Sequence, residues 1–332
     1  MSAPSWSARL RRLLPIGLGA VVVVCTIAVV GTGPLLRGVL AISPAAILAA
    51  ALLTGAATGA AAWRWRTVSG ELGLSMTWTT AIAAYYRSQF LNTVLPGGVI
   101  GDVHRAYRHG RRVGDVPIAA RAVATERAAG QVVQVVVTVV VLAAVGLTGP
   151  LSRWLTAVGW LAVGAAMIVA AVLIVVVTTG RGRRLLRREL SLLRTVFRAP
   201  RASIAIVAAS IVVVASHTAT FVVACLAVGI QASPRELIGL AVIALAAASL
   251  PINVGGWGPR DAVSASAFAV IGLGAGAGLA ASTAFGVLTI LAVLPGAAVL
   301  IVDRVAPRGI RPLGLNPTRT PAAYPLHEER TA

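Results

Sequence analysis

Lysine is absent from this chain, and its 10 acidic residues are far fewer than its 29 basic ones, so the charge is sparse and mostly positive. Only 12% of the 332 residues are charged, against about 25% in an ordinary soluble domain. The mean hydropathy is +0.88. Since a water-soluble fold of this length cannot bury so much apolar surface, the composition excludes that class and predicts an all-α polytopic membrane protein.

Residues for metal, redox and nucleotide chemistry are also scarce. Cys25 and Cys225 each lie inside an apolar run, so neither belongs to a CxxC pair or a zinc cluster. The four histidines show no HExxH spacing, and the chain has no Walker A motif and no Asp-x-Asp pair. We therefore expect no metal, no cofactor, no catalytic residues and no enzyme activity.

The 29 basic residues are all arginine and give a net charge of +19. A charge of this sign is also typical of nucleic-acid binding. Here, however, the arginines lie in short stretches between apolar runs, as the positive-inside rule requires. The pattern predicts a multi-pass protein of the cell membrane, without a nucleic-acid partner. Both termini and the basic stretches 103–125 and 181–201 are expected in the cytoplasm.

The apolar runs predict three regions: a cytoplasmic segment 1–12, a transmembrane domain 13–302 and a proline-containing disordered tail 303–332. The first run also has features of a signal peptide, but it is long for one and no small-x-small cleavage site follows it. Six runs are long enough to span the bilayer fully: 13–30, 39–63, 128–147, 155–178, 203–230 and 278–302.

Two further apolar segments, 72–101 and 236–271, are interrupted by polar residues and by turns that contain proline and glycine. Arginine counting requires each segment to enter and leave on the same side, the first from the cytoplasm and the second from outside. We therefore expect two re-entrant broken helices beside the six spans, eight membrane segments in all. Eight or nine complete spans are the alternative.

The segment 181–201 carries eight arginines. Leu186, Leu190, Leu193 and Phe197 recur at helical spacing and form one apolar stripe on it. A basic helix with such a stripe is typical of a helix lying on an anionic membrane surface. A solvated run of charge is the alternative.

The two proline turns resemble each other. Pro96 to Arg105 and Pro251 to Arg260 both fit P-x-x-V-x-G-x-x-x-R, and leucine precedes each proline. Paired broken helices in opposite orientations indicate an inverted repeat with a transport site near the bilayer centre. Chance similarity in a chain rich in Gly, Val and Arg is the alternative.

Ionisable residues at membrane depth are costly, and this makes them functional candidates. We expect Arg105 and Arg260 to hold a phosphate from the two turns, Asp102 to pair with Arg105, and Asp261 to pair with Arg260 or Arg87. Structural ion pairs and snorkelling side chains are the alternatives, and His217 is interpreted as structural. The candidate substrate-binding set is Arg87, Gln89, Asn92, Asp102, Arg105, Glu126, Arg127, Asn253, Arg260 and Asp261.

Three stretches within residues 10–305 resemble the motifs of a known family. They are Ser88-Gln89-Phe90-Leu91-Asn92 through Leu95-Pro96-Gly97-Gly98 to Gly101-Asp102 and Arg105; Glu126-Arg127 followed by Gly130; and Leu250-Pro251 through Gly255-Gly256-Trp257-Gly258 to Arg260.

The family is the transmembrane region of lysylphosphatidylglycerol synthases with its stand-alone, flippase-like relatives. The third stretch departs from the usual Arg-Glu ending, because Asp261 follows Arg260. The resemblance implies a protein that moves a lipid or lipid-linked head group between leaflets, with anionic membrane lipids as its partners. Because the chain ends shortly after its last predicted helix, the soluble synthase domain and its aminoacyl transfer are expected to be absent.

Two other functional classes remain open from the sequence: an intramembrane lipid-modifying enzyme, and a scaffold that recruits a separate synthase. The sequence also leaves open a homo-oligomer, the identity of the lipid and the direction of its movement.

Overall fold

The computed structural model of the protein describes residues 31–95, 98–145, 179–249 and 258–305. The predicted spans 13–30 and 155–178, the N-terminal segment 1–12 and residues 306–332 lie outside this part of the chain. Within it every regular element is an α-helix. The prediction of an all-α protein is therefore confirmed for the residues described.

Several helices begin with proline in the first turn, where the missing N–H costs nothing. Ser43 caps one of them by accepting a hydrogen bond from the Ala46 amide at 3.2 Å. Helices in the described residues are α1 Gly33–Leu40, α2 Pro44–Glu71, α3 Trp78–Val94, α4 Ile100–Val113, α5 Val116–Val145, α6 Gly180–Phe197, α7 Pro200–Ala227, α8 Pro234–Ala248, α9 Pro259–Val270, α10 Ala275–Ala292 and α11 Pro295–Val305.

Four stretches in this part of the chain are long and apolar enough to cross a bilayer: α2, α5, α7 and the α10–α11 stretch Ala275–Asp303. Each coincides with one of the predicted spans 39–63, 128–147, 203–230 and 278–302. The two largest differences in boundaries are at the end of α2 and the start of α5. Helix α2 continues eight residues past the predicted end, to Glu71, and α5 begins at Val116 instead of residue 128.

Both broken segments are observed as two helices separated at the proline turn. Helix α3 ends at Val94 and α4 begins at Ile100, while α8 ends at Ala248 and α9 begins at Pro259. The basic stretch that follows the first turn is helical from its start, and it places Asp102 and Arg105 in the first turns of α4. Entry and exit of each pair on one side of the membrane stays a prediction.

The bundle packs around α2, whose largest interface in the described residues is with α7. Small side chains, including Ala50 and Ala57, are fully buried along α2 and let the neighbouring backbones approach closely. A second core joins α7, α8, α9 and α10. Its members include Phe221, Leu240, Phe268 and Leu288.

The predicted basic helix is present as α6. Val196 is fully buried in a cluster with Val68 of α2 and Ile206 of α7, and this cluster fixes the end of α6 to the bundle. Leu190 and Phe197, from the predicted stripe, remain 42% and 40% exposed. Packing within the described chain therefore leaves these two residues exposed, and contact of the stripe with lipid remains a prediction.

The membrane orientation can be tested by labelling single cysteines in a variant that carries Cys25→Ser and Cys225→Ser. Arg187 of α6 and Arg235, near the start of α8, are both exposed. Because the arginine asymmetry places α6 in the cytoplasm, we expect an impermeant maleimide added to whole cells to label Arg235→Cys and not Arg187→Cys. After cell lysis both variants should react. Labelling of Arg187→Cys in intact cells would contradict the orientation.

Candidate functional site

A buried carboxylate joins helices α2 and α4 to α5. Arg64 donates from Nε to Glu126 Oε1 at 2.7 Å, and Arg105 donates from Nη2 to Glu126 Oε2 at 3.1 Å. Tyr85 of α3 adds a hydrogen bond from its hydroxyl to Oε1 at 2.9 Å. The Glu126 side chain is 0% exposed. Such a carboxylate is tolerable only because both of its oxygens are paired.

Asp102 links Arg105 to a second charged residue of α5, Arg127. Its Oδ1 accepts from Arg105 Nη2 at 2.8 Å, which confirms the predicted pair. Its Oδ2 accepts from Asn92 Nδ2 at 2.9 Å and pairs with Arg127 Nη2. Ser88 donates a further hydrogen bond at 3.2 Å. We call Arg64, Glu126, Arg105, Asp102 and Arg127 the ion network.

Arg105 is enclosed within the ion network. Its guanidinium carbon lies 4.2 Å from the ring centre of Tyr85 and 4.6 Å from that of Trp65, both within the range of cation–π attraction. Its side chain is 0% exposed. The prediction that Arg105 faces a cavity together with Arg260 is therefore corrected: the aromatic rings and carboxylates hold it behind the cavity wall.

Arg260 forms a second, smaller cluster with Asp261 and Ser282. Its Nη2 donates to Asp261 Oδ1 at 3.0 Å and its Nε donates to Ser282 Oγ at 2.8 Å. Ser282 in turn donates to Asp261 Oδ1 at 2.6 Å. Of the two predicted partners of Asp261, the structure thus selects Arg260. Phe285 stacks beneath the guanidinium at 5.1 Å.

Two glycines make room for these arginines. A Cβ added to Gly130 of α5 would lie 2.6 Å from Nη1 of Arg64, and one added to Gly286 of α10 would lie 3.1 Å from Nη2 of Arg260. Even a methyl group at Gly130 would displace the arginine beside it. The close packing of Arg64 therefore explains the glycine at position 130, which belongs to the Glu126-Arg127 motif.

A cavity of about 300 Å³, here called the central cavity, lies between the two broken helix pairs. Gly98 from the first turn and Gly258 from the second both line it, so the described flanks of the two turns meet at one space. Pro96, Pro251 and the candidate Asn253 lie outside the described residues. The polar side chains along its wall are Thr54, Gln89, Asn92, Thr93, Arg127, His217, Arg260 and Thr289.

One amide at the start of each of α4 and α9 is hydrogen-bonded to a side chain of the protein. Asn92 Oδ1 accepts from the Gly101 amide at 2.7 Å, and Asp261 Oδ2 accepts from the Gly258 amide at 2.8 Å. A helix N-terminus attracts an anion through its dipole and its free amides. With one amide of each helix start occupied in this way, the fixed cations of the described wall are the side chains of Arg127 and Arg260.

Arg127 is the arginine most open to this space. Its side chain is 41% exposed, against 6% for Arg260. It also lines a neighbouring cavity of about 240 Å³, which shares Gln89 and His217 with the central cavity. His217, interpreted from sequence as a structural residue, thus faces both cavities.

Arg87 belongs to a different part of the molecule. It pairs with Asp303 of α11, which also accepts a hydrogen bond from Arg108 Nη1 at 2.8 Å. The candidate role of Arg87 in the cavity and its alternative pairing with Asp261 are therefore corrected. Asp303, assigned from sequence to the tail, lies within α11 and fastens this helix to α3 and α4.

Sequence reasoning missed several site residues. Trp65 and Arg64 lie in a run of alternating Trp and Arg, a pattern typical of a membrane interface. In the structure, however, Trp65 is 1% exposed and Arg64 is 7% exposed. Tyr85, Ser282 and Ser210, whose Oγ accepts a hydrogen bond from Arg64 Nη1 at 2.9 Å, are also part of the site. Nothing in the sequence around these three residues distinguishes them from other polar residues of the helices.

The sequence of the chain was also compared with known proteins. The profile of the family named Lysylphosphatidylglycerol synthase TM region matches residues 12–296. The chain belongs to this family. The matched range contains both broken helix pairs, the ion network and the Arg260 cluster, so the resemblance expected from three short stretches extends over the whole site. The comparisons with curated proteins and with solved structures each gave no match.

Proposed function

We propose that this protein moves a phospholipid or lipid-linked compound with an anionic head group from one leaflet to the other. The observation that carries this proposal is the central cavity, in which Arg127 of α5 and Arg260 of α9 face the same space. The family is that of a membrane lipid synthase region, and lipid handling agrees with that membership.

The composition of the cavity wall favours a polar head group. Ionisable side chains within membrane segments are rare and mark substrate pathways. Here arginines are joined by amides and hydroxyls, among them Gln89, Asn92 and Thr289. These groups donate the hydrogen bonds that phosphate oxygens accept, and arginine adds a planar fork that matches phosphate geometry.

An apolar groove beside the central cavity favours a lipid over a water-soluble anion. The groove has a volume of about 340 Å³ and is lined by Phe90, Leu91 and Val94 of α3 and by Leu300 and Ile301 of α11. The polar residues Gln89, Asn92 and Thr93 lie on the side of α3 that faces the cavity. The end of α3 therefore separates space for a head group from space for acyl chains.

Movement of a lipid between leaflets involves no chemical step and needs no metal or cofactor. A gradient or mass action would supply the driving force. The lipid changes leaflet while its head group passes between the two turns and its acyl chains stay among apolar side chains.

Leaflet-resolved lipid movement in vesicles that contain the purified protein tests this proposal. The panel includes anionic, zwitterionic and uncharged lipids with the same acyl chains. We expect protein-dependent movement of anionic lipids, and an initial rate lowered about tenfold or more in Arg260→Gln, since a hydrogen bond to a charged group contributes about 1.5–3 kcal/mol.

Arg235→Gln is the matched control, because Arg235 is exposed near the start of α8 and does not line the central cavity. It should move lipid at the wild-type rate. Melting temperature and gel filtration verify that both variants are folded. Movement of no lipid by the wild-type protein, or equal movement of charged and uncharged lipids, would refute the proposal.

A further inference from the structure

Among the described residues, the charged side chains of the ion network and the Arg260 cluster do not balance. Four arginines, Arg64, Arg105, Arg127 and Arg260, face three carboxylates. The sequence contains no acidic residue in 96–97, 146–178 or 250–257, so these segments cannot supply a fourth carboxylate. The five other acidic residues of 31–305 contact none of the four arginines in the described residues: Glu71, Asp115, Glu189, Glu236 and Asp303.

The unbalanced positive charge falls on Arg127. Glu126 is occupied by Arg64 and Arg105, and Asp261 is occupied by Arg260. In the described part of the chain, the carboxylate that forms a salt bridge with Arg127 is Asp102, which Arg127 shares with Arg105. Arg127 is also the one cation of these four with an open side chain, because the others are between 0% and 8% exposed.

Asp102 can release Arg127 without becoming an unpaired buried anion. It keeps Arg105 at 2.8 Å, Asn92 at 2.9 Å and Ser88 at 3.2 Å when the bond to Arg127 is removed. A buried carboxylate with these three donors remains satisfied. The cost of freeing the guanidinium of Arg127 is therefore small compared with that of freeing any other arginine of the ion network.

We propose that Arg127 receives the anionic group of the substrate, exchanging Asp102 for a singly charged phosphodiester. This inference rests on the proposed function and names the charge class that the cavity selects. One added negative charge brings the four arginines and three carboxylates to neutrality. A phosphomonoester carries about −1.5 to −2 at neutral pH and would leave surplus negative charge in a site of low dielectric.

Binding of short-chain lipids to the purified full-length protein tests this assignment. The probes are dioctanoyl phosphatidylglycerol, a phosphodiester; dioctanoyl phosphatidic acid, a phosphomonoester; and uncharged dioctanoylglycerol. Affinity is taken from the rise in melting temperature with probe concentration. The measurement uses an uncharged detergent and a pH well above the second phosphate pKa of about 6, so that the monoester is fully charged. We expect the wild-type protein to bind the phosphodiester about tenfold or more tightly than either other probe.

Arg127→Gln should lower the affinity for the phosphodiester about tenfold or more. Arg121→Gln is the matched control, because Arg121 lies on the same helix, is 38% exposed and pairs with a carboxylate, but does not line the cavity. It should bind as the wild-type protein does. If Arg127→Gln does not fold, Arg127→Lys takes its place and should retain the preference for the phosphodiester at lower affinity, because an ammonium lacks the fork.

Unchanged phosphodiester binding in the Arg127 variants would overturn the assignment, and so would equal binding of monoester and diester by the wild-type protein. The vesicle assay separates this result from the proposed function. Movement of lipid at the wild-type rate by Arg127→Gln would refute the role of Arg127 and leave the function standing. Binding that depends on Arg127, without movement of any lipid, would refute the function and leave the site.

Discussion

Glu126→Gln is expected to lower the free energy of unfolding by about 3–5 kcal/mol, because it leaves buried arginines without their shared counter-ion. Glutamine has nearly the shape of glutamate, so packing changes little. What is lost is the negative charge between Arg64 and Arg105, whose side chains are 8% and 0% exposed. The measurement is thermal or denaturant unfolding of the purified protein in detergent, together with its yield from membranes.

Glu189→Gln is the matched control for this prediction. Glu189 also pairs with an arginine, Arg121, but the two side chains are 41% and 38% exposed. An exposed pair of this kind contributes about 0–1 kcal/mol. Similar stabilities of Glu126→Gln and Glu189→Gln would show that the ion network does not hold the helices together.

Gly101→Ala is expected to prevent correct assembly of the first broken helix pair. Gly101 lies in the first turn of α4, and an added Cβ would overlap the backbone carbonyl of Ser88 in α3. Because the Cβ is fixed rigidly to the backbone of α4 and the atoms that it meets belong to the backbone of α3, the two helices would have to move apart. Such a shift would pull Asp102 away from Asn92 and Ser88, so we expect a loss of more than about 3 kcal/mol, with low yield and aggregation on gel filtration.

Gly59→Ala provides the comparison, since Gly59 lies within α2 and an added Cβ would meet no atom within 4 Å. Alanine is the better helix former by about 0.5–1 kcal/mol, so this variant should be as stable as the wild-type protein or slightly more stable. A Gly101→Ala protein with the wild-type melting temperature would contradict the close approach of α3 and α4.

Features that depend on local spacing were predictable from the sequence. Asp102 and Arg105 are three residues apart on one helix, and Arg260 and Asp261 are adjacent, so their pairing follows from chain geometry. Proline and glycine likewise identified both helix breaks, because few other residues interrupt an apolar helix so strongly.

Features that depend on which helices become neighbours were not predictable. Arg64 and Glu126 are separated by 62 residues, and Arg87 and Asp303 by 216. No periodicity in the sequence relates such positions. The enclosure of Arg105 and the exposure of Arg127 could not be predicted for the same reason. Whether an arginine is enclosed by Trp65 and Tyr85 or faces a cavity depends on helix packing, to which a motif match is insensitive.

The separation of 62 residues between Arg64 and Glu126 also has a consequence for biogenesis. At a synthesis rate of about 5–20 residues per second, the carboxylate emerges from the ribosome about 3–12 s after the arginine that it neutralises. During that interval α2 carries a cation that lipid does not accept readily. We therefore expect α2 to remain at the insertion machinery until α5 arrives, so that these helices enter the bilayer as a group and not one by one.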